Sequence, residues 1–346
     1  MAVSSVLHPA ISQAEFEKAY GCLAGLALGD ALGMPTEFLT PERIAAEYGP
    51  VNGLVAAAHW HPHAALPFAS TTDDTGQALA LANIYLRGEP LTAARTAQAI
   101  VAWADAEGPR LELFAGPSTR QALAALRSGA DPRQSGRHGF TNGAAMRIAP
   151  VGIVHGGDFA ATLADTVEAC LPTHGTTLAI SAAAVVSYAV CEAMTERATV
   201  ESVLAAAQRG AIEGRQHGAW MWTPPLEHRI ALAVRLVRES PDEAAARQAL
   251  YQYIGVDIAV SESIPTALGL VALSEGDPQR AVLHAAQVGG DTDTIGAIAG
   301  AICGALSGIA AIDRDLLARV EQANGLDLAR TARGLVAAAK QMERNT

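Results

Sequence analysis

The chain has 346 residues, half of them hydrophobic but only 5% aromatic, with a formal net charge of −11. That length covers one large domain or two ordinary ones, and an alanine-rich, aromatic-poor composition favours close-packed helices over a β-sandwich. With no lysine- or arginine-rich run, a nucleic-acid groove and an anionic membrane surface are excluded as the main partner. A small anionic ligand stays open, because helix N-termini bind phosphate without net positive charge.

The four cysteines, Cys22, Cys170, Cys191 and Cys303, are far apart in apolar surroundings. Without a CxxC pair they suggest neither a zinc ribbon nor a redox couple, and they read as reduced core residues of a cytoplasmic protein. Met1 to Ala10 has no basic n-region and no long apolar run, so it is not read as a signal peptide. Residues 1–11 are expected to be a short tail and 12–342 a single domain.

The first helix opens on a capping box, Ser12 with Glu15, and carries Phe16, Tyr20, Leu23 and Leu26 at helical spacing. It runs into Gly29-Asp30-Ala31-Leu32-Gly33-Met34-Pro35-Thr36-Glu37-Phe38, where glycine and proline fix a loop. Asp30 and Glu37 are acids among apolar neighbours there; a cap and a surface acid account for them most simply. After a helix over 41–48 comes His59-Trp60-His61-Pro62-His63. Its histidines have no matching Cys or His set elsewhere, so they read as a loop near a substrate mouth rather than a transition-metal site.

Ser70-Thr71-Thr72-Asp73-Asp74-Thr75 opens the next helix. A hydroxyl followed by acids suits a helix N-terminus, but adjacent aspartates repel, and a cation between them would relieve that. A helix over 92–106 follows. Gly116-Pro117-Ser118-Thr119 starts another, with proline in its first turn and the hydroxyls and glycine of a phosphate cradle. Phe140-Thr141-Asn142-Gly143 forms a second glycine-bearing turn, and Pro172-Thr173-His174 precedes an apolar helix over 178–191. Further helices are expected over 200–209, 226–238, 242–251, 265–273 and 279–287.

Gly289-Gly290-Asp291-Thr292-Asp293-Thr294 then runs into the uncharged segment 295–312. Carboxylates two residues apart do not share a helix face, and the glycine pair suggests a loop with unusual backbone angles, turning both acids and a hydroxyl inward. The alternative is that Asp291 or Thr292 caps the helix and Asp293 favours its first turn. Glycines at 296, 300, 304 and 308 make a GxxxG series, which suits close helix pairing in a membrane or in a soluble bundle. Flanking Asp293 and Asp313 favour a buried central helix. The tail, 315–342, reads as one or two amphipathic helices. No segment alternates with period two over a strand's length, so the chain is expected to be all-α: a compact, single-domain orthogonal helical bundle.

Two acidic helix-start loops some two hundred residues apart, in this order among the other turns, resemble the ADP-ribosylglycohydrolase family. The resemblance covers nearly the whole chain and rests on Gly29-Asp30-Ala31-Leu32-Gly33 with Glu37, Thr72-Asp73-Asp74-Thr75, Asn142-Gly143 with Met146-Arg147, Thr173-His174 and Gly290-Asp291-Thr292-Asp293-Thr294. It implies an all-helical fold around a binuclear Mg²⁺ or Mn²⁺ cleft, with Thr72, Asp73, Asp74, Asp291, Asp293 and Thr294 as metal ligands. Glu37 matches the family's mobile acid near the scissile bond. Gly116, Ser118 and Thr119 with Asn142 and Gly143 match loops that hold diphosphate and ribose, and Phe140 and His174 match positions lining the ADP-ribose cleft.

The implied activity is hydrolysis of the glycosidic bond at ribose C1 of an ADP-ribosylated small molecule or protein, with Asp74 or Glu37 taking a proton from a metal-activated water. Hydrolysis of a small N-riboside, or ADP-ribose binding without catalysis, are the alternatives. One departure bears on the substrate. Arginine-specific members are expected to place an acid near the phosphate loop, whereas the lead-in here is Leu113-Phe114-Ala115 and the nearest acid is Glu112.

Overall fold

The computed structural model describes residues 11–345. The tail expected over 1–11 lies outside the described residues except for Ile11. In chain order the helices are α1 (Gln13–Gly33), α2 (Pro41–Tyr48), α3 (Asp73–Leu86), α4 (Ala93–Glu107), α5 (Leu111–Phe114), α6 (Pro117–Arg127), α7 (Ala149–Val154), α8 (Phe159–Cys170) and α9 (Thr177–Ala193). They continue with α10 (Val200–Gly214), α11 (Leu226–Glu239), α12 (Glu243–Ala249), α13 (Val260–Leu273), α14 (Pro278–Ala285), α15 (Thr292–Ser307), α16 (Arg314–Asn324) and α17 (Leu328–Asn345). Among the described residues there is no sheet, only isolated bridges. The fold is the all-α one the sequence implies, and no described helix is long and apolar enough to cross a membrane.

The centre of the molecule is the pair α1 and α15. Both carry glycine every fourth residue, and the two ladders face each other: a Cβ on Gly21, Gly25, Gly29 or Gly33 would overlap the backbone of Gly304, Gly300, Gly296 or Asp293. Such contact admits no side chain, so the two helices approach closely along their length. The glycine series read on α15 thus has its counterpart on α1. Its last member, Gly308, ends the helix at φ 73° instead of continuing it. The register matters for function: Asp30 follows Gly29 on α1, while Thr292 and Asp293 open α15 beside Gly33.

Elsewhere the expected helices appear with shifted ends. The helix expected over 265–273 begins at Val260, with Pro265 inside it. Proline supplies no N–H to the carbonyl four residues back. Arg229 Nε donates to that carbonyl, on Ser261, so the helix passes through the proline without an orphaned acceptor. All four cysteines are free and buried.

Candidate metal and substrate cleft

Three loop contacts build the site. Phe38 N–H donates to Gly290 O at 2.8 Å and Gly290 N–H to Leu39 O at 2.9 Å. Asp291 N–H donates to Val256 O at 2.7 Å, and Asn142 N–H to Ile258 O at 3.2 Å. Gly289 and Gly290 have φ of 89° and 70°, the left-handed region that the glycine pair was expected to supply. Thr292 Oγ1 donates to Gly33 O at 2.9 Å and accepts from Thr36 Oγ1 at 3.1 Å. The loop carrying Glu37 and the start of α15 are therefore one unit.

The cleft, about 230 Å³, is lined by Glu37, Asp73, Asp74, Asp291, Asp293 and Thr294 at its acidic end. Asp291 sits at the N-cap of α15, outside the helix proper. Helical periodicity does not fix its direction, and so it shares the cleft with Asp293. Two groups of acids place one oxygen per residue within 4.8 Å of one another: Asp30 with Asp74 and Asp293, and Glu37 with Asp291 and Asp293. Asp293 belongs to both. These side chains are buried, and Asp74 Oδ1 has no hydrogen-bond partner.

Burial and mutual repulsion raise the proton affinity of the acids. Asp74 is held well above the ordinary range, first by burial and then by Asp293; Asp293 likewise, by burial and then Glu37. Burial pushes Asp73 up to about 8 and Asp291 to about 6, the latter against the bond from Asn142. Hard oxygen donors, a partnerless carboxylate oxygen and like charges in close quarters fit divalent cations of the Mg²⁺ and Mn²⁺ type.

Thr72 lies just behind the acidic floor. Its hydroxyl donates to Asp30 Oδ1 at 2.9 Å and lies 3.2 Å from Asp74 Oδ2. Although it occupies the N-cap position of α3, Thr72 makes no side-chain cap bond. Asp30 takes that part, accepting from the N–H and hydroxyl of both Thr72 and Thr75. Asp30 is thus the cap that an isolated acid in this stretch suggests, but of α3 rather than of a neighbouring helix.

Glu37 is buried and held well above the ordinary carboxyl range, by burial first and then by the charges of Asp291 and Asp73. His63 Nε2 lies 2.5 Å from Glu37 Oε2, and His61 Nε2 lies 2.7 Å from the Glu37 carbonyl. The histidine loop, expected near a substrate mouth, backs the acid instead. Phe38, next in sequence, has φ 63°, a strained backbone of the kind that clusters at functional sites.

Of the remaining residues assigned to substrate, Gly116, Thr119, Asn142 and Gly143 line the cleft, and Ser118, Phe140 and His174 do not. Ser118 is buried in the first turn of α6, Phe140 is half exposed, and His174 is wholly buried. The Asn142 side chain donates to Asp291 Oδ2 and, at 3.0 Å, to Ser263 Oγ, so it orients an acid. Leu113, Phe114, Ala115 and Arg120 also line the cleft. Arg120 Nη1 donates to Glu112 Oε2 at 2.9 Å, Nη2 to the Glu112 carbonyl at 2.9 Å and Nε to the Ala115 carbonyl at 2.6 Å.

An all-α fold with paired acidic helix starts around one cleft defines a class, and the comparisons agree with it. The ADP-ribosylglycohydrolase family model matches residues 11–345. The chain is 35% identical to the protein YegU of Escherichia coli, over 94% of this chain and 98% of that one. It is 28% identical to the ADP-ribosylarginine hydrolase Tri1 of Pseudomonas putida, over 88% of this chain and 74% of the relative. A solved structure described as an ADP-ribosylglycohydrolase-related protein complex superposes with a TM-score of 0.68 at 26% identity, covering 96% of this chain and 99% of the other. The chain belongs to the ADP-ribosylglycohydrolase family and is an enzyme of glycohydrolase type.

Proposed function

We propose that this enzyme is a metal-dependent glycohydrolase that cleaves the glycosidic bond at ribose C1 of an ADP-ribosylated substrate, with water as the nucleophile and two Mg²⁺ or Mn²⁺ ions as cofactors. The observation that carries the reading is the double acid group at the cleft floor, with Asp293 common to both halves and Asp74 Oδ1 left without a partner. Asp73, Asp74, Asp291, Asp293, Thr72 and Thr294 would hold the ions. When bound, the cations supply Lewis acidity and a template for the ribose hydroxyls.

The chain's own residues do the rest. Glu37 accepts the proton of the attacking water; burial makes it a stronger base than an exposed carboxylate, and His63 fixes its orientation. The other carboxylates stabilise positive charge that develops on the ribose ring. Gly116, Thr119 and Gly143, which line the same cleft, receive the diphosphate. Residues 12–342 act as one catalytic domain, because α3, α6, α15 and the loops carrying Glu37 and Asn142 all line the cleft, and α1 supplies Asp30 to the acid group with Asp74 and Asp293. The buried, free cysteines support a cytoplasmic location.

The apolar lead-in Leu113-Phe114-Ala115 lines the cleft. It favours a neutral leaving group, on an ADP-riboside or, as a second reading, on a small N-riboside. The test is turnover of ADP-ribosyl-arginine, ADP-ribosyl-serine, O-acetyl-ADP-ribose and simple N-ribosides, with Mg²⁺, with Mn²⁺ and with chelator. Activity on an ADP-riboside that chelation abolishes, and that falls by several orders of magnitude in Asp293→Ala, supports the reading. A D293A variant with near-wild-type turnover and full metal content would end it.

A further inference from the structure

A buried polar chain runs beneath the Thr141–Gly143 turn of the cleft. Arg147 is fully buried, and its Nη2 donates to Thr173 Oγ1 at 2.6 Å. Thr173 Oγ1 lies 2.8 Å from His174 Nδ1, and His174 Nε2 lies 3.0 Å from Thr141 Oγ1. Thr173 and His174 are both wholly buried, and Thr141 lines the cleft. A Cβ on Gly143 would stand 2.8 Å from His174 Cε1, so that glycine lets the substrate loop rest directly on the imidazole.

The direction of each proton follows from donor inventory. A guanidinium only donates, so Thr173 Oγ1 accepts from Arg147. Its own hydroxyl proton then goes to His174 Nδ1; the reverse arrangement would leave that buried proton without an acceptor. Burial, together with the Arg147 charge, holds the imidazole neutral, so its single proton sits on Nε2 and is given to Thr141 Oγ1. Thr141 already accepts there, and its own hydroxyl proton is left for an acceptor in the cleft.

Resting on the glycohydrolase reading above, we propose that Thr141 is a substrate-contacting hydrogen-bond donor of the cleft. Arg147, Thr173 and His174 are positioning residues that order its proton. The acceptor is an oxygen of the ADP-ribosyl group. A diphosphate oxygen is the better match, because Gly143 Cβ would lie 3.5 Å from Thr119 Oγ1 at the N-terminal turn of α6, where an anion is favoured. His174 acts through Thr141, which explains why a residue matched to the ADP-ribose cleft lies wholly beneath it.

Two measurements on the full chain test this. The first is the ring-nitrogen spectrum of His174 by long-range ¹H–¹⁵N NMR, with no ligand present. The expected result is the Nε2–H tautomer, giving way to a mixture in Thr173→Val. The Nδ1–H tautomer in the wild type would overturn the relay. The second is calorimetric binding of ADP-ribose and of ADP to the wild type, T141V and T141S, with thermal unfolding as the check on fold. T141V is expected to bind about tenfold or more weakly, the loss of one hydrogen bond to a charged acceptor, and T141S to bind like the wild type.

Loss toward both ligands assigns the diphosphate as acceptor, and loss toward ADP-ribose alone assigns the distal ribose. A folded T141V with wild-type affinity for both overturns the proposal. A wild-type chain that binds neither overturns the glycohydrolase reading and the ligand assignment with it, while the tautomer still decides the relay.

Discussion

Asp30 caps the helix whose N-cap position Thr72 occupies, from 42 residues earlier in the chain. Four donors, the N–H and hydroxyl of Thr72 and of Thr75, converge on this one carboxylate. The consequence is geometric. A cap made by Thr72 itself would turn its hydroxyl onto the helix; the cap from Asp30 instead draws the first turn of α3, with Asp73 and Asp74, against the α1 and α15 pair.

Asp30→Asn tests that role. An amide keeps the shape, loses half the acceptor capacity and points N–H groups at other N–H groups. Since groups that orient metal ligands typically govern affinity at the ten- to hundredfold level, the expected loss in Mn²⁺ or Mg²⁺ affinity is about that size. Calorimetric titration of the metal reads it directly. Unchanged affinity would mean that α3 holds Asp73 and Asp74 in place without Asp30.

Much of this was legible in the sequence, for identifiable reasons. The acids Asp73, Asp74, Asp291 and Asp293 were marked by their cost, since carboxylates crowded at helix starts suggest a partner. The glycine series on α15 announced close pairing, although its counterpart at Gly21, Gly25, Gly29 and Gly33 went unread. Asp30 is legible as a cap, but not which helix it caps, because a cap is assigned by proximity in sequence and this one acts at long range on α3; Glu37, expected as a surface acid, is buried. His63 was hidden because nothing in a His-x-His spacing says that it will face Glu37, 26 residues away. His174 was matched to a cleft that its side chain does not line, because a motif fixes position along the chain and not depth beneath the surface.

The raised acids make stability depend on pH, with a sign opposite to that of an ordinary paired carboxylate. Asp73 and Asp291 release their protons near pH 8 and 6 in the metal-free fold, against an ordinary 3.8. Below about pH 4 both folded and unfolded chains carry these protons and no penalty exists. As pH rises, the unfolded chain ionises first, so these groups subtract stability progressively until the folded form also ionises, near pH 8. The metal-free Tm is expected to fall between pH 5 and 8 for this reason. Bound Mg²⁺ or Mn²⁺ prefers the ionised acids, so the Tm gain on adding metal grows over the same interval. Thermal unfolding across that range, with metal and with chelator, checks both trends. A metal-induced gain that shrinks with rising pH would show that the cations bind elsewhere.

On the proposed mechanism Glu37 acts as the base rather than as a metal ligand, although its carboxylate lies in the acid group with Asp291 and Asp293. Its carboxyl is anchored from behind by His63, and its backbone carbonyl by His61. Glu37→Gln retains the size and the buried position but cannot accept a proton from water. The expected loss in kcat is about a hundred- to ten-thousandfold, the usual range for a general base, with metal stoichiometry and ADP-ribose affinity close to wild type. Single-turnover kinetics beside metal analysis make the distinction. Unchanged kcat would reduce Glu37 to a wall residue, while a parallel loss of metal would move it into the ligand set.

Substrate preference is expected to turn on the apolar lining at Leu113–Ala115. The Tri1 relative of Pseudomonas putida is named for ADP-ribosylarginine, yet the wall that would meet a guanidinium here is Leu113, Phe114 and Ala115, with Arg120 also lining it. Glu112 is engaged by Arg120 through its side chain and its carbonyl, and the pair is exposed, so Glu112 is occupied rather than free to receive a second guanidinium. A guanidinium left without a carboxylate loses charge-assisted hydrogen bonds worth about 1.5–3 kcal/mol each, roughly a ten- to hundredfold penalty, and the Arg120 charge adds repulsion. The expected outcome is a kcat/KM for ADP-ribosyl-arginine lower by that factor than for an ADP-riboside with a neutral leaving group. Arg120→Gln should narrow the gap by removing the like charge and freeing Glu112, and Glu112→Gln should leave it unchanged. A wild-type preference for the arginine adduct that disappears in Glu112→Gln would mean that Glu112 releases Arg120 when substrate arrives and serves as the recognition acid.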